Sequence, residues 1–226
     1  MNLADTIRLY HGSKEILRKP EFGAGSLHRD FGPGFYCTEY PDLAAEWACR
    51  DGADGYTNCY RLDPGGLEVL ELDLRPGNLL RWLALLLRYR SITTRDRLCD
   101  EAAALILDRY DVEPGDYDLI LGPRADDSAL SFAQAFLDNA LPLGLLGDSL
   151  ALDPFGQQVV LTSRKALARL EFVSQEAAAW TRYDPIRRGR DGLLRSRWCA
   201  KLEHKGAAEG DIYLTDLLKG AVPDDD

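Results

Sequence analysis

The sequence predicts an α+β fold and not a doubly wound parallel sheet. Short strand signals and helical patterns are interspersed along the chain, but they do not alternate as they would around a parallel sheet. The stretch from Gly12 to Gly34 is rich in glycine and predicts a long functional or mobile loop. From Ser174 onward the chain becomes rich in arginine and alanine. We therefore expect a domain over residues 1–173 and an appendage over residues 174–226 that packs on it.

The N-terminal part of the chain predicts four strands and one helix. Pro41-Asp42 opens the helix, in which apolar residues recur at helical spacing. The third and fourth strands are separated by Asp63-Pro64-Gly65-Gly66, which predicts a β-hairpin. The predicted strands are Thr6–Tyr10, Phe35–Thr38, Tyr56–Leu62 and Leu67–Leu72, and the helix runs from Pro41 to about Arg50.

The middle of the chain predicts more helix. Asn78 and Ser163 are expected to cap helices, because each stands just before an apolar periodic segment. The predicted helices run from Asn78 to about Tyr89, from Arg95 to Tyr110, from Ser128 to Leu137, over part of residues 141–154, and from Ser163 to about Arg169. Strands are predicted at Asp118–Leu121, Gln157–Leu161 and Leu170–Val173.

The appendage carries weaker signals. Residues 176–207 show a weak helical periodicity, and Asp211–Leu218 predicts a docking strand or turn. The acidic end, Asp224–Asp226, is expected to be solvated.

Composition excludes several classes of function. The net charge of −10 disfavours a broad nucleic-acid or membrane-binding surface, since phosphate contacts require a basic excess. Five cysteines and three histidines show no spacing typical of a zinc site, so free thiols and no bound metal are expected. Residues 1–25 contain no apolar core of signal-peptide length, and the most apolar helix, around Leu79–Leu87, is too short and too charged to span a bilayer. The sequence thus predicts a cytoplasmic protein without a membrane partner.

His11 is the first candidate for chemistry. A neutral imidazole at the end of a strand can hydrogen-bond a ribose hydroxyl, and the following Gly12 lets the backbone approach a ligand. A structural histidine at a strand end is the other interpretation.

Two further patterns suggest a pocket for a flat ligand. Tyr36 on a strand and Trp47 on a helix could sandwich a planar ring, or both could be core residues. Gln158 precedes an apolar strand, where its amide can bind a ribose without carrying charge. Gln157 next to it leaves the register open, because a shift of one residue reverses the face.

Gly122 to Asp127 follows a buried strand and ends in two adjacent acids. Asp126 and Asp127 could bind a metal, hold a loop through Arg124, or cap the next helix, and Asp127 fits the cap best. Other catalytic motifs are poorly supported. Asp30-Phe31-Gly32 lacks the remaining protein-kinase motifs. Ser13 has no evident His/Asp relay, and nothing near Cys37 signals an activated thiol.

Taken together, these motifs resemble the ADP-ribosyltransferase superfamily, in its diphtheria-toxin and poly-ADP-ribose-polymerase branch. The match is closer to a bacterial family of unknown function placed in that superfamily, over roughly residues 7–173. The late block Asp211–Leu218 also fits. Six ordered blocks carry the resemblance: Leu9–Ser13, Asp30–Tyr36, Ala44–Ala48, Trp82–Arg90, Tyr117–Asp127 and Gln158–Leu167.

The resemblance implies a split antiparallel sheet and a site for NAD as co-substrate. His11 would bind the adenosine-side ribose, Gly12 the nicotinamide carboxamide, and Tyr36 and Trp47 the nicotinamide ring. Gln158 stands where polymerising relatives have a Glu, so chain elongation is not expected. The implied catalytic residues are His11, Tyr36 and Gln158, the implied cofactor-binding residues also include Ser13, Asp30 and Gly34, and the acceptor-side or loop-supporting residues are Arg124, Asp126 and Asp127.

Several functions stay open at this point. The expected activity is NAD-dependent mono-ADP-ribosylation of a protein, nucleic acid or small molecule, by a toxin or defence effector restrained by an antitoxin or regulatory protein. NAD hydrolysis and an inactive nucleotide- or protein-binding module are the alternatives. RNA 2′-phosphotransfer is disfavoured, because the acidic chain lacks a second site histidine and paired arginines.

Overall fold

The computed structural model of the protein describes residues 5–23, 29–49, 52–204 and 211–223, without the side chains of residues 201–204. It confirms the α+β class, with two mostly antiparallel sheets and several helices. The strands are β1 (Ile7–Ser13), β2 (Phe35–Cys37), β3 (Gly55–Leu62), β4 (Val69–Glu71), β5 (Leu119–Pro123), β6 (Gln157–Leu161) and β7 (Leu170–Ala178). The helices are α1 (Pro41–Ala48), α2 (Pro76–Tyr89), α3 (Arg97–Tyr110), α4 (Asp127–Leu137), α5 (Leu143–Leu150), α6 (Arg164–Ala168) and α7 (Trp180–His204), with short 3₁₀ turns at Pro114–Asp116 and Leu214–Lys219.

The strands form two sheets that meet at a narrow seam. The first sheet has the order β1-β3-β7 and is antiparallel throughout. The second has the order β2-β6-β5-β4, in which only the pair of β4 and β5 is parallel. Two backbone hydrogen bonds between Tyr10 and Thr38, of 2.7 and 2.9 Å, join β1 to the end of β2. This seam places side chains from both sheets next to one another.

Alternation along the strands sorts the core into two layers. One cluster contains Leu9 and Tyr60 from the first sheet together with Phe35 and Leu161 from the second, so it lies between the sheets. The opposite face of the second sheet packs against helices α2 to α5 around the fully buried Trp82. Neighbouring residues of one strand therefore face different layers.

The predicted hairpin between Tyr56–Leu62 and Leu67–Leu72 is wrong. The chain does turn after β3, where the amide of Leu67 donates to Pro64 O at 3.0 Å. However, β4 enters the other sheet and pairs in parallel with β5. Six residues separate β3 from β4, which is longer than the usual hairpin loop. The turn residues show where the chain bends but not which strand it joins.

Two predicted helix caps are also wrong. Helix α2 begins at Pro76, whose fixed φ suits the first helical position, and Asn78 lies inside the first turn. In α4 it is Asp126, and not Asp127, that caps the helix, because its Oδ1 accepts from the amide of Ala129 at 3.0 Å. The Ser163 cap is confirmed by a 3.0 Å hydrogen bond from the amide of Ala166.

The C-terminal part of the chain packs against the elements that precede it. The last strand, β7, continues to Ala178, so the boundary drawn at residue 173 falls inside it. Its largely exposed face gives little apolar alternation, which explains why only its first half has a strand signal. Helix α7 then packs on α1 and α4, with Trp198 4.8 Å from the ring of Phe132. The 3₁₀ turn after it buries Leu214 and Leu217 in the core, and Asp224–Asp226 lies outside the described residues.

None of the helices described is both long enough and apolar enough to cross a bilayer.

Asp118 ties several elements together just before β5. Its carboxylate accepts from Lys165 at 2.7 Å, from Ser163 at 2.5 Å and from the amide of Glu68 at 2.9 Å. Burial pushes the pKa of Asp118 up, but these hydrogen bonds outweigh it and lower the pKa to about 2. The carboxylate therefore stabilises the fold in its charged form.

We expect Asp118→Ala to lower the free energy of unfolding by about 2 kcal/mol at pH 7, because charge-assisted hydrogen bonds are lost. A lowered pKa contributes stability above the unfolded value of about 4, and this contribution disappears as the pH falls toward 2. The free energies of unfolding of Asp118→Ala and the wild type, measured in urea, should therefore converge in acid. The exposed Asp116 provides the control variant Asp116→Ala, which should match the wild type. An equal loss in both variants would contradict the prediction.

Candidate functional site

A cleft of about 650 Å³ opens at the seam between the two sheets. Its lining comes from the end of β1, the loop before β2, strand β2 itself, α1, the loop after β5, the start of β6, and α7. The volume is within the usual range for small-molecule sites. Cationic and anionic side chains both line it, so it is polar as well as concave.

His11 is held in one tautomer at the floor of the cleft. Its Nδ1 lies 2.7 Å from the carbonyl oxygen of Tyr36 on the neighbouring sheet. A carbonyl only accepts, so Nδ1 carries the proton and Nε2 is left as an acceptor. Burial lowers the pKa of His11 to about 4, the Tyr36 carbonyl partly offsets this, and Arg29 lowers it further. The ring, whose centroid lies 4.3 Å from that of Phe35 in a tilted arrangement, is therefore neutral at pH 7.

Tyr36 is fixed by the loop that precedes it. Its hydroxyl donates to Gly32 O at 2.7 Å and accepts from the amide of Phe31 at 3.0 Å. Burial raises the pKa of the phenol well above its usual range, so the hydroxyl stays protonated. The Arg29 guanidinium lies 5.6 Å from the ring centroid, over its face. Trp47, which is partly buried, lines the cleft from α1.

Gln158 lies on the same face of the second sheet as Tyr36. The register pairs Tyr36 with Val160, two residues along β6 from Gln158. Gln158 is buried and lines the cleft, whereas the side chain of Gln157 is exposed and does not. The Gln158 Nε2 donates to Asp30 Oδ2 at 3.0 Å. Asp30, from the loop before β2, thus lies in the cleft beside Gln158.

The small residues near the site have different positions. Gly12 lines the cleft, but a Cβ on it would lie 1.8 Å from Ala44 O, so its missing side chain is required by the packing of α1. Ser13 also lines the cleft, and its Oγ donates to Glu15 O at 2.6 Å. Gly34 does not line the cleft, because it packs against β6 with Val160 as its nearest neighbour.

Arg124 forms ion pairs that connect the loop after β5 to the loop after α5. The Arg124 guanidinium is buried and donates to Asp126 at 2.7 Å and to Asp153 at 2.5 Å. Asp126 also caps α4, so both of its roles are structural. Asp127 is exposed at the rim of the cleft.

Sequence reasoning missed the wall that α7 contributes. Arg187, Arg190 and Asp191 from α7 line the cleft, and Arg190 donates to Glu46 on α1 at 2.6 Å. The Glu46 side chain is only 1% exposed, and burial raises its pKa although Arg190 acts in the opposite direction. The available signal was the spacing of Arg187, Arg190 and Asp191, which places them on one helical face.

The five cysteines all belong to the described residues and are free. Cys37 faces the core between the sheets, where burial raises the pKa of its thiol far above the usual range. A thiol in that environment is a poor nucleophile at neutral pH. Within the described ranges, no three His, Cys, Asp or Glu side chains are arranged to hold a metal ion.

Comparison with known protein families matches most of the chain. Neither the curated proteins nor the solved structures contain a match to this chain. A family model described as "Protein of unknown function (DUF3990)" matches residues 7–172, a segment that begins at the first residue of β1 and includes His11, Tyr36 and Gln158. The chain therefore belongs to the DUF3990 family.

Proposed function

We propose that the protein is an NAD-dependent mono-ADP-ribosyltransferase, which transfers ADP-ribose from NAD to an acceptor and releases nicotinamide. One observation carries the proposal. Strands β1, β2 and β6, from two different sheets, bring His11, Tyr36 and Gln158 into one cleft of about 650 Å³. The resemblance to the His-Tyr-Glu arrangement of ADP-ribosyltransferases, with Gln158 in place of Glu, gives the chemistry.

The side chains of the cleft suit a polar, aromatic substrate. His11, neutral and with Nε2 free of a proton, can accept a hydrogen bond from a ribose hydroxyl. Tyr36 and Trp47 line the cleft and would stack on the nicotinamide, which contributes roughly 0.5–1.5 kcal/mol beyond area burial. Gln158 offers an amide to the nicotinamide ribose. Arg124, Asp126 and Asp127 would support the loop or lie on the acceptor side.

The proposed reaction breaks the bond between nicotinamide and the ribose. Nicotinamide leaves with the bonding electrons as a neutral molecule, and positive charge develops at the ribose C1′. The acceptor then supplies an electron pair to C1′ and loses its proton to solvent. A Glu at the position of Gln158 would stabilise that charge more strongly. The neutral amide therefore favours a single transfer over chain elongation.

The test is release of nicotinamide from NAD by the purified protein, followed by chromatography with and without cell extract. We expect release by the wild type and none by His11→Ala. Calorimetry should show NAD binding weakened by about 1–3 kcal/mol in this variant, because a buried hydrogen bond is lost. Gln158→Ala should also abolish release, whereas Gln157→Ala, on the exposed face of the same strand, should retain it. Wild-type protein that neither binds NAD nor releases nicotinamide would overturn the proposal.

A binding module on the same fold is the second candidate. The neutral Gln158 favours it, because a site without a carboxylate at that position can hold a nucleotide without promoting its cleavage. Saturable NAD binding with no nicotinamide release, even in cell extract, would support this alternative.

The role as a toxin or defence effector has its own test. If the activity is harmful, expression of the wild type should slow growth of the host and His11→Ala should relieve it. Equal harm from both proteins would contradict the role.

A further inference from the structure

The carboxylate of Asp30 joins three elements around the cleft. Its Oδ1 lies 3.3 Å from Arg90 Nη1, at the end of α2. Its Oδ2 accepts from the amide of Ala125, in the loop after β5, at 3.0 Å. The same oxygen accepts from Gln158 Nε2 at 3.0 Å. Every described contact of this buried carboxylate is therefore with a donor.

This environment decides how the Gln158 amide is turned. An ionised carboxylate only accepts hydrogen bonds, so the amide must direct its NH₂ group toward Asp30. The carbonyl oxygen Oε1 is then the atom that Gln158 can offer to a ligand. The side-chain hydrogen bond described for Gln158 uses its Nε2 and leaves Oε1 for another partner. Since Gln158 lines the cleft, it presents an acceptor there.

We infer that Asp30 is a positioning residue, which holds Gln158 as a hydrogen-bond acceptor for the substrate and requires an amide at that position. This inference rests on the proposed function for the identity of the substrate, but the contact between Asp30 and Gln158 does not depend on that function. The Oε1 atom accepts from a ribose hydroxyl as a carboxylate oxygen would. A Glu at position 158 would instead place two carboxylates about 3 Å apart, so one of them would have to retain a proton.

The geometry can be tested without any enzymatic activity. Urea unfolding is measured from pH 5 to pH 8 for Gln158→Glu, Asp30→Asn, the double variant and the wild type. In Gln158→Glu the carboxyl pair has a folded pKa above its unfolded value, so stability is retained in acid and lost as the pH rises through neutrality. We expect its folding equilibrium constant to fall about tenfold or more over this range relative to the wild type, since each unit of pKa shift is a factor of ten.

Two comparisons make this test decisive. Asp30→Asn combined with Gln158→Glu should abolish the additional pH dependence, because only one carboxylate then remains. Gln157→Glu adds the same charge one residue away on the exposed face and should follow the wild type. If Gln158→Glu and Gln157→Glu show the same pH profile, Asp30 does not face the Gln158 amide and the inference is wrong.

The catalytic consequence is tested by steady-state nicotinamide release. We expect Asp30→Ala to lower kcat about tenfold or more, the equivalent of one lost hydrogen bond of ordinary strength, with a smaller change in the KM for NAD. The kcat of Asp30→Asn, which keeps an acceptor oxygen, should lie between those of Asp30→Ala and the wild type. The variant Asp108→Asn, on the exposed face of α3, controls for loss of an aspartate charge.

These outcomes separate the two proposals. If the wild type releases nicotinamide and Asp30→Ala matches it in kcat, the positioning role is wrong while the proposed function stands. If the wild type releases none, the proposed function fails, and the unfolding profiles still decide whether Asp30 sets the Gln158 amide.

Discussion

Gly12→Ala is expected to destabilise the protein by about 3 kcal/mol or more and to disrupt the cleft at the same time. An added Cβ would lie 1.8 Å from Ala44 O and 2.6 Å from the amide nitrogen of Ala48. Both are backbone atoms of α1, so no side-chain rotation relieves the overlap. Helix α1 must move, and it carries Glu46 and Trp47 of the cleft wall.

Urea unfolding and NAD calorimetry together measure this effect. The matched control is Gly189→Ala in α7, where an added Cβ meets no heavy atom within 4 Å. Alanine is the better helix former, so this control should gain up to about 1 kcal/mol of stability. If Gly12→Ala unfolds at the same urea concentration as the wild type, α1 does not pack on β1 as closely as described.

Arg190→Ala is expected to cost about 3–5 kcal/mol of unfolding free energy, because it leaves the buried Glu46 without its partner. The two side chains meet at 2.6 Å and are 10% and 1% exposed, so water cannot replace the guanidinium. Arg190 also lies 3.5 Å from Asp126 and 3.7 Å from Asp153, and its loss leaves Arg124 as their cation.

The loss should depend on pH in a definite direction. Burial already raises the pKa of Glu46, and removal of Arg190 raises it further. An acid with a raised folded pKa destabilises the fold above its unfolded pKa and ceases to do so once it is protonated. The difference between Arg190→Ala and the wild type should therefore shrink as the pH is lowered from 8 toward 5.

Two variants test whether the buried charge is the cause. Adding Glu46→Gln to Arg190→Ala removes that charge and should restore part of the stability. Arg188→Ala removes a guanidinium that is 71% exposed and paired with Asp184, so it should cost about 1 kcal/mol or less. Equal losses of unfolding free energy from Arg188→Ala and Arg190→Ala would show that burial of the Glu46–Arg190 pair is not the cause.

Local patterns predicted most of the elements and failed where distant segments meet. Strand β6 was evident, because an apolar run is bounded by polar residues, and the Ser163 cap follows from a side chain that bonds its own helix. The partner of β4 could not be predicted in this way. The residues after Gly66 form a strand that pairs with β5 at the edge of the second sheet. Which strand edge accepts them depends on the rest of the fold.

The residues of the cleft could likewise be predicted only in part from local sequence patterns. Which glutamine lines it depends on the face of β6 that meets the inter-sheet core, and the sequence of one strand cannot settle this. The structure answers it by burying Val159 and Leu161 between the sheets, which turns Gln158 to the other side. The pair of Glu46 and Arg190 spans 144 positions along the chain and has no local signal at all.

The family match ends at residue 172, within β7, yet α7 supplies one wall of the cleft. The floor of the cleft and this wall therefore belong to different parts of the chain, one within the matched segment and one after it. Substitutions on α7 can therefore change which molecules enter the cleft while the residues of the matched segment stay the same. Chimeras that exchange only the segment after β7 between relatives would show whether this wall determines which ligands the cleft binds.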